Sequence, residues 1–419
     1  MATYKASKVF VPGGMPQHTY VSRSKLDLEK KLESVIDNLC KLVTLTGSTK
    51  SGKTVLTTKV FPREADGNIW VDGGAVTNES DFWAIILEQI HGYTGAEVSN
   101  GSEFEIGATA QAEAQGSVVL LKGKAGGGAS VKKKSVNGAK KTVQMSPKTA
   151  AITQLGETDA VIIIDDFHYL DRQLQGSLVR AFKPLVFKGQ AVIIIAIPHR
   201  KYDAVKVERE MTSRIEPIQA PPWIDVELRQ IATVGFPLLN MTVAAAVIDK
   251  FVSESYGSPH LMQEFCRQLC RDYQVEQTAP KALAIDSADD DLFRRVADGT
   301  GRVIFEKLAK GPRSRTDRIP RPLKGGGDAD IYKVVLLALA RLSPGMEKVS
   351  YEDLRASIRD LLESNVPEAH EVSRVLEKMA EIASSDEAST PVIDWDKDDR
   401  ELHVTDPFFA FFLKWGVEA

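Results

Sequence analysis

The chain has 419 residues, of which 43% are hydrophobic and 26% charged, which is typical of a globular protein of two to four domains. Lysine and arginine number 53 against 57 acidic residues, so the net charge of −4 excludes a protein that binds nucleic acid through overall positive charge and leaves only local basic patches. Because the longest apolar runs span about seven residues and the N-terminus lacks the apolar core of a signal peptide, we expect a cytoplasmic protein without a membrane segment.

Helices and strands are predicted to alternate over residues 25–220, after an N-terminal arm at residues 1–24. Short runs rich in β-branched residues are predicted as strands at residues 41–46, 69–72, 161–164 and 191–197. The last two are apolar throughout, as in strands that are buried on both faces of a parallel sheet. Segments with apolar residues at helical spacing separate the strands. This order predicts an α/β core with a mainly parallel sheet.

Residues 100–146 interrupt this alternation. Between Gly116 and Lys148 there are eight lysines and no acidic residue, with turn signals at Gly126-Gly127-Gly128 and Asn137-Gly138. We interpret the segment as a basic β insert, a hairpin or a pair of hairpins. A flexible lysine-rich loop is the alternative, because charged runs are usually solvated.

The second half of the chain predicts a helical lid and a C-terminal winged helix. A helical pattern follows Pro221-Pro222 and defines the lid at residues 221–290. The polar, basic residues 291–330 are interpreted as a linker or an interface strap. In residues 331–419, three helical segments precede two short strands, which is the element order of a winged helix. A plain helical cap is the alternative. The three cysteines include no pair at zinc-ligand spacing, so neither a zinc site nor a disulfide framework is predicted.

The clearest chemical signal lies between the first predicted strand and the helix after it. The run Gly47-Ser48-Thr49-Lys50-Ser51-Gly52-Lys53-Thr54 fits the phosphate-binding pattern G-x-x-x-x-G-K-[ST]. In this pattern the glycines let backbone N–H groups surround the phosphates, Lys53 reaches the β- and γ-phosphates, and the Thr54 hydroxyl binds Mg²⁺. These eight residues therefore predict a site for ATP and Mg²⁺.

A pair of carboxylates completes this prediction. The apolar strand Val161–Ile164 ends in Asp165 and Asp166. Asp165 is expected to hold Mg²⁺ through water, and Asp166 to polarise the attacking water, so that Asp166 and Lys53 are catalytic candidates. The structural alternative is that the acidic pair caps a turn or helix. His168 could contact the same water, but a partly buried structural histidine is the favoured interpretation.

Three weaker signals lie outside the two phosphate motifs. Strand 191–197 ends in Pro198-His199-Arg200, Thr212-Ser213-Arg214 precedes the last predicted strand, and Gly257-Ser258-Pro259-His260 begins a lid helix. Together with the two phosphate motifs, this arrangement resembles the STAND class of AAA+-related P-loop ATPases and is similar to the archaeal origin-recognition-like ATPases with a C-terminal winged helix. The arm segment Tyr20-Val21-Ser22-Arg23 is similar to the base-binding arm of both groups.

The resemblance implies further site residues. Arg200 and Arg214 would complete the catalytic site between or within subunits, and Arg23, Pro259 and His260 would contact the nucleotide. The structural alternatives are a surface salt bridge for either catalytic arginine and a packed position in the lid for His260.

The function that the resemblance implies is an ATP-dependent regulatory switch. Such a protein would bind and slowly hydrolyse ATP, form a homo-oligomer and control a separate effector protein, in the setting of prokaryotic antiviral defence. Slow turnover is expected because Asp166 stands where AAA+ machines carry glutamate and His260 stands where they carry arginine.

Two alternatives to the switch remain open. The first is a DNA-binding AAA+ initiator or transposition regulator, with nucleic acid held by Lys132-Lys133-Lys134, Lys140-Lys141 and the arginines of residues 313–321. The expected recognition helix near residues 372–383 is poorly charged for phosphate contacts. The second is a structural nucleotide binder that never hydrolyses ATP. The aromatic C-terminal segment at residues 408–415 could bind a partner, but a core-packed helix is favoured.

Overall fold

The computed structural model describes residues 2–37, 40–98, 141–196, 214–312, 319–343, 345–384 and 391–417. The strands are β1 Leu42–Gly47, β2 Asn68–Asp72, β3 Gly95–Val98, β4 Lys141–Gln144, β5 Val161–Asp165, β6 Ala191–Ala196, β7 Ile215–Ala220, β8 Met241–Val243, β9 Leu283–Ile285, β10 Arg321–Pro322, β11 Asp328–Ala329, β12 Lys348–Ser350, β13 Ile393–Asp396 and β14 Glu401–Val404. The helices are α1 Ala6–Val9, α2 Leu28–Glu33, α3 Lys53–Val60, α4 Glu79–Gln89, α5 Pro147–Leu155, α6 Arg172–Phe187, α7 Asp225–Leu238, α8 Ala245–Glu254, α9 Pro259–Asp272, α10 Asp291–Asp298, α11 Arg302–Lys310, α12 Ile331–Leu342, α13 Tyr351–Leu361, α14 Ala369–Ser384 and α15 Pro407–Trp415.

A five-stranded parallel sheet forms the core, with strand order β2-β5-β6-β1-β7. Strands β1, β5 and β6 are buried along their whole length, because helices cover both faces of the sheet. On one face, α4, α5 and α6 pack on residues such as Ile162 and Ile194, and on the other α2 and α3 pack on Val43 and Ile193. Strand β6 lies between β1 and β5, so the carboxyl ends of β1 and β5 open on the same edge of the sheet. The predicted α/β P-loop core is confirmed.

A pair of strands brings the two ends of the predicted basic insert together, one just before it and one near its end. Strands β3 and β4 pair antiparallel, with Gly95 opposite Gln144 and Val98 opposite Lys141. Residues 99–140, which include the lysine clusters at 132–134 and at 140, lie outside the described residues. The ladder therefore gives the two ends of the insert a hairpin-like arrangement.

The lid core contains the N-terminal arm, which its sequence did not predict. Helix α1 and Phe10 pack into the same apolar cluster as α7 to α10, and the ring of Phe10 lies 4.9 Å from that of Phe236. Gln263 of α9 ties the arm down: its Oε1 accepts from the Val11 N–H at 3.1 Å, and its Nε2 donates to Thr19 Oγ1 at 2.9 Å. The arm is thus part of the lid rather than a free extension.

The prediction of a linker at residues 291–330 needs correction. This segment contains α10 and α11, and Leu292, Phe293 and Leu308 are fully or almost fully buried. Its basic residues suggested a solvated linker because many of them fall between the apolar ones, and Arg294, Arg295, Arg302 and Lys310 do lie on the exposed side of the two helices. Residues 291–310 therefore pack against the lid and the C-terminal domain as two helices, whereas residues 313–318, with three of the segment's arginines, lie outside the described residues.

The C-terminal domain is the predicted winged helix. Helices α12, α13 and α14 pack around one core, and the antiparallel sheet β12-β14-β13 supplies the wing. Helix α15 closes the domain with its four phenylalanines buried and Trp415 half-buried, which confirms the interpretation of a core-packed helix. Its Phe411 and Phe412 enter the lid core and its Phe409 and Leu413 enter the winged-helix core. One helix thus joins two hydrophobic cores.

Within the described part of the chain, no helix is both long and apolar enough to cross a membrane. Cys266 and Cys270 are buried thiols in α9, and Cys40 is an exposed thiol that donates to the Phe187 carbonyl oxygen at 3.8 Å.

Candidate functional site

The phosphate-binding loop joins β1 to α3 at the edge of the sheet. Lys50 and Gly52 both have positive φ, 55° and 87°, which turns the loop tightly around the start of α3. Gly47 packs against the neighbouring strand β7 so closely that a Cβ there would lie 2.6 Å from the Ala220 carbonyl oxygen. Backbone geometry therefore requires glycine at both positions of the motif. The first N–H groups of α3 are directed toward the interior of the loop.

Lys53, the first residue of α3, lies inside the loop. Its Nζ donates to the carbonyl oxygens of Gly47 at 3.0 Å and of Ser48 at 2.8 Å. Burial lowers the pKa of Lys53 to about 8, and the nearby carboxylates Asp166 and Asp165 offset part of this decrease. An anion bound here would supply the negative charge that stabilises the desolvated ammonium in its charged form.

Asp165 and Thr54 form the part of the site that suits a metal ion. The Thr54 hydroxyl donates to Asp165 Oδ1 at 3.1 Å, and Asp165 Oδ2 lies 3.3 Å from the Arg63 guanidinium. Burial raises the pKa of Asp165. A hydroxyl and a carboxylate at this separation are hard oxygen donors of the kind that Mg²⁺ prefers, so the residues present fit the predicted ion.

Asp166 is held in the left-handed region of backbone conformation, with φ 50°. The loop after β2 packs on its backbone, since a Cβ at Gly73 would lie 2.4 Å from the Asp166 carbonyl oxygen. Burial, together with the charges of Asp165 and Asp72, raises the pKa of Asp166 to about 6. The side chain of Asp166 remains 45% exposed and faces solvent near the loop.

His168 lies next to Asp166 but is buried, as the favoured structural interpretation predicted. Its Nδ1 is 4.0 Å from Asp166 Oδ1, and its ring packs against that of Tyr169 with centroids 4.5 Å apart. Its position beside the carboxylate makes it a neighbour of any water that Asp166 polarises.

Arg63 and Trp223 support the site and were missed by sequence reasoning. Arg63 pairs with Asp165 and covers the ring of Trp70 at 4.1 Å, and Trp223 Nε1 donates to the Ser51 carbonyl oxygen at 2.9 Å. Neither residue belongs to a motif. The only local signal for Trp223 is its place directly after Pro221-Pro222, where the core meets the lid.

A cavity of about 660 Å³ opens above the loop and is closed by three parts of the chain. The phosphate wall consists of residues 49–54 with Asp166. The arm and lid contribute residues such as Tyr20, Arg23, Trp223, Pro259, His260 and Gln263. The C-terminal wall consists of Thr300, Gly301, Val303, Ile304, Lys307, Val392, Asp406, Phe408 and Phe409. A cavity of a size that suits a nucleotide therefore lies between the core, the lid and the winged helix.

Arg23 and His260, both predicted to contact the nucleotide, line this cavity. Arg23 is buried and is held by Glu227 at 3.0 Å and by the carbonyl oxygens of Pro221 and Pro222 at 2.7 and 2.9 Å. The His260 ring packs edge-on against Phe408 at 4.9 Å. Burial, with a smaller contribution from Lys50, lowers the pKa of His260 to about 4, so this side chain is neutral at pH 7.

The two candidate catalytic arginines are placed differently. Arg214 precedes β7, whose first residue Ile215 is opposite Leu42 at the start of β1, whereas the loop lies at the other end of these strands. At about 3.3 Å per residue this separates Arg214 from the loop edge by about 20 Å. Its guanidinium lies 5.2 Å from the ring centre of Phe187. Arg214 therefore cannot complete the site of its own chain. Arg200 lies outside the described residues.

Comparison with known proteins finds similarity in structure alone, since no protein-family model and no curated protein sequence matches the chain. The Walker-type ATPase of Pyrococcus abyssi is 14% identical, with a TM-score of 0.53 over 97% of this chain and 99% of that chain. The ORC2 protein of Aeropyrum pernix, solved in ADPNP and ADP complexes, is 15% identical, with a TM-score of 0.47 over 97% and 95%. Cdc6p from Pyrobaculum aerophilum is 10% identical, with a TM-score of 0.43 over 97% and 96%. The chain thus shares the fold of a Walker-type ATPase, and its predicted resemblance to P-loop ATPases is confirmed at the level of the fold.

Proposed function

We propose that this protein is an ATP-dependent regulatory switch, which binds ATP with Mg²⁺, hydrolyses it slowly and uses the bound state to control its own assembly. The observation that carries the proposal is the cavity itself. Residues 49–54 of the phosphate-binding loop and Asp166 form one wall, where Thr54 is also bonded to Asp165, and the lid and winged helix form the others. A ligand held there contacts every domain at once.

Nucleotide binding would use the contacts already present in the loop. The phosphate oxygens would accept hydrogen bonds from the N–H groups at the start of α3 and from the ammonium of Lys53. Lys53 would then leave its present acceptors, the carbonyl oxygens of Gly47 and Ser48, for the phosphate. Thr54 and Asp165 would hold Mg²⁺, which supplies charge neutralisation at the β- and γ-phosphates. Arg63 fixes Asp165 for this role from the solvent side.

Hydrolysis would depend on Asp166. Its carboxylate follows β5 directly, next to the proposed metal ligand Asp165, where a base can orient the water for in-line attack. The aspartate side chain is one methylene shorter than the glutamate usual at this position. We therefore propose slow turnover, as suits a switch that must persist in one state.

Assembly would bring in the missing positive charge. Because Arg214 lies about 20 Å from the loop edge of its own chain, any role at the γ-phosphate requires a neighbouring copy. We propose a homo-oligomer in which Arg214 of one subunit approaches the site of the next, and a separate effector protein that recognises the assembled form. Control of such an effector in prokaryotic antiviral defence is the setting that the sequence resemblance suggests.

The charge pattern of the winged helix supports the switch over duplex binding. Three of its five lysines are paired with carboxylates of the same domain: Lys348 with Glu401 at 2.7 Å, Lys397 with Glu377 at 2.8 Å, and Lys378 with Glu381. The turn of the wing carries three aspartates, at positions 396, 398 and 399. Phosphate backbones require unpaired cations on the surface that meets the duplex.

Calorimetry with Mg-ATP tests the binding step. Lys53→Ala is expected to abolish measurable affinity, whereas Lys59→Ala, the same change on the exposed side of α3, should leave it unchanged. Light scattering with a non-hydrolysable ATP analogue then tests assembly. The wild type should enlarge and Arg214→Ala should stay small. Unchanged affinity in Lys53→Ala contradicts the site, and an electrophoretic shift of duplex DNA at physiological salt would favour the DNA-binding alternative.

A further inference from the structure

The lid and the winged helix are built as one body. Helix α15 places Phe411 and Phe412 in the lid core and Phe409 and Leu413 in the winged-helix core, all of them buried. The buried Glu254 of α8 adds polar contacts, because it accepts from Lys414 Nζ at 2.5 Å and from Trp415 Nε1 at 2.8 Å. Separating the two domains would expose aromatic surface and a paired charge, so they should move together.

This body touches the phosphate loop through Lys50. The Lys50 ammonium lies 3.5 Å from the centre of the Phe408 ring and 3.8 Å from Asp406 Oδ2. Both partners come from the start of α15, more than 350 residues away along the chain. A cation of the phosphate-binding loop is therefore held by the C-terminal wall of the cavity.

Asp406 cannot follow Lys50 if the lysine moves. Its Oδ1 accepts the N–H groups of Phe408 and Phe409, both at 2.9 Å, and so caps α15. The carboxylate is nearly buried, and only its Oδ2 is directed toward the ammonium. A nucleotide triphosphate carries several negative charges and lies against the same loop, so it competes directly with this single carboxylate.

We propose that Lys50 is a second phosphate-binding cation of the loop, held by Asp406 and Phe408 until a nucleotide takes it over. Binding of nucleotide and attachment of the lid–winged-helix body then compete for one ammonium group. By linkage, the contact that holds the body weakens nucleotide affinity by the same factor by which nucleotide weakens the contact. This inference rests on the proposed function, because it requires a nucleotide in the cavity.

The Asp406→Asn variant isolates the charge of the contact. Asparagine keeps an Oδ1 that can cap α15, but it lacks the charge that holds Lys50. Since a partly exposed ion pair contributes modestly, affinity for Mg-bound ATP analogue should rise about fivefold. Asp290→Asn, which breaks the exposed pair with Lys250 in the lid, is the matched control and should not change affinity.

A double-mutant cycle separates this contact from a merely structural effect. In a Lys50→Ala background, Asp406→Asn should no longer change nucleotide affinity, because its partner is gone. Equal effects of Asp406→Asn in both backgrounds would overturn the inference, and so would weaker affinity in the single variant.

Energy transfer between two dyes measures the movement. Cys40 is the exposed thiol of the core, and Cys266 and Cys270 are buried, so Lys397→Cys in the wing gives the second labelling position. Analogue should change the transfer efficiency in this protein and not after the further change Lys53→Ala, and Asp406→Asn should shift it before analogue is added. If wild-type protein binds no ATP, the proposed function fails. If it binds ATP normally but shows neither coupling nor movement, only the present inference fails.

Discussion

The phosphate wall and the C-terminal wall of the cavity are built in opposite ways. The first is one continuous motif, in which Gly47–Thr54 leads from a buried strand into a helix. The second brings residues from positions 300–307, 392 and 406–409 to a loop near position 50. The first wall is therefore set by local backbone geometry, whereas the second depends on the packing of α11 and α15. Changes in the two walls should have different consequences.

The largest effect is expected from the helix that joins the two C-terminal cores. Phe411→Ala removes a fully buried ring and should lower the free energy of unfolding by about 3–5 kcal/mol. Phe409→Ala, on the other face of α15, should lower the same calorimetric transition, because lid and winged helix unfold together. Phe187→Ala, at a ring that is 66% exposed, is the control and should change stability by less than about 0.5 kcal/mol. Two separate transitions would show that the domains are independent.

The second effect concerns the phosphate wall. Asp166→Asn should reduce ATP turnover about 100-fold, because a positioned base contributes at least this much, while nucleotide affinity is retained. Turnover by phosphate release and affinity by calorimetry are measured on the same preparation. Intact turnover would place the base elsewhere, and His168, 4.0 Å from Asp166, becomes the first candidate.

The third effect tests the junction of lid and C-terminal wall by pH. The pKa of His260 is lowered to about 4 in the folded protein, so between pH 6.5 and 4 the unfolded chain takes up a proton that the folded one does not. Stability is therefore lost as the pH falls. The groups that face the ring are Lys50, Glu264 and Phe408.

His260→Gln removes this titration. Between pH 7 and pH 5, the wild type should lose about 1–2 kcal/mol more stability than the variant. Melting temperatures of both proteins across this range provide the measurement, and parallel curves would contradict the buried, neutral histidine.

The smallest effect is expected at Trp223, where the segment between the core and the lid contacts the phosphate-binding loop. Trp223→Phe keeps the ring but removes the hydrogen bond to the Ser51 carbonyl, so nucleotide affinity should fall about fivefold, equivalent to about 1 kcal/mol. Trp395→Phe, in the wing, is the matched control without an expected change. Equal affinity in both variants would show that the loop holds its conformation without this contact.

The sequence by itself determined the phosphate wall. A phosphate-binding loop is specified by consecutive residues of one short motif. The apolar run before Asp165 predicts a buried strand without reference to the rest of the chain. The element order of the winged helix and the buried aromatic face of α15 also followed from local patterns. These features depend on neighbours along the chain, so one sequence suffices to find them.

Only the tertiary structure decided what faces that wall. The pairing of Lys50 with Asp406, the burial of the arm in the lid and the support of Asp165 by Arg63 join residues that no periodicity connects. The placement of Arg214 far from its own loop follows from strand register, which depends on the pairing of β7 with β1. Residues 291–298 and 302–310 of the apparent linker form helices because partners distant in sequence cover their apolar residues. These contacts depend on long-range packing, which leaves no local pattern in the sequence. The side of the site that faces the phosphate wall could therefore be identified only from the tertiary structure.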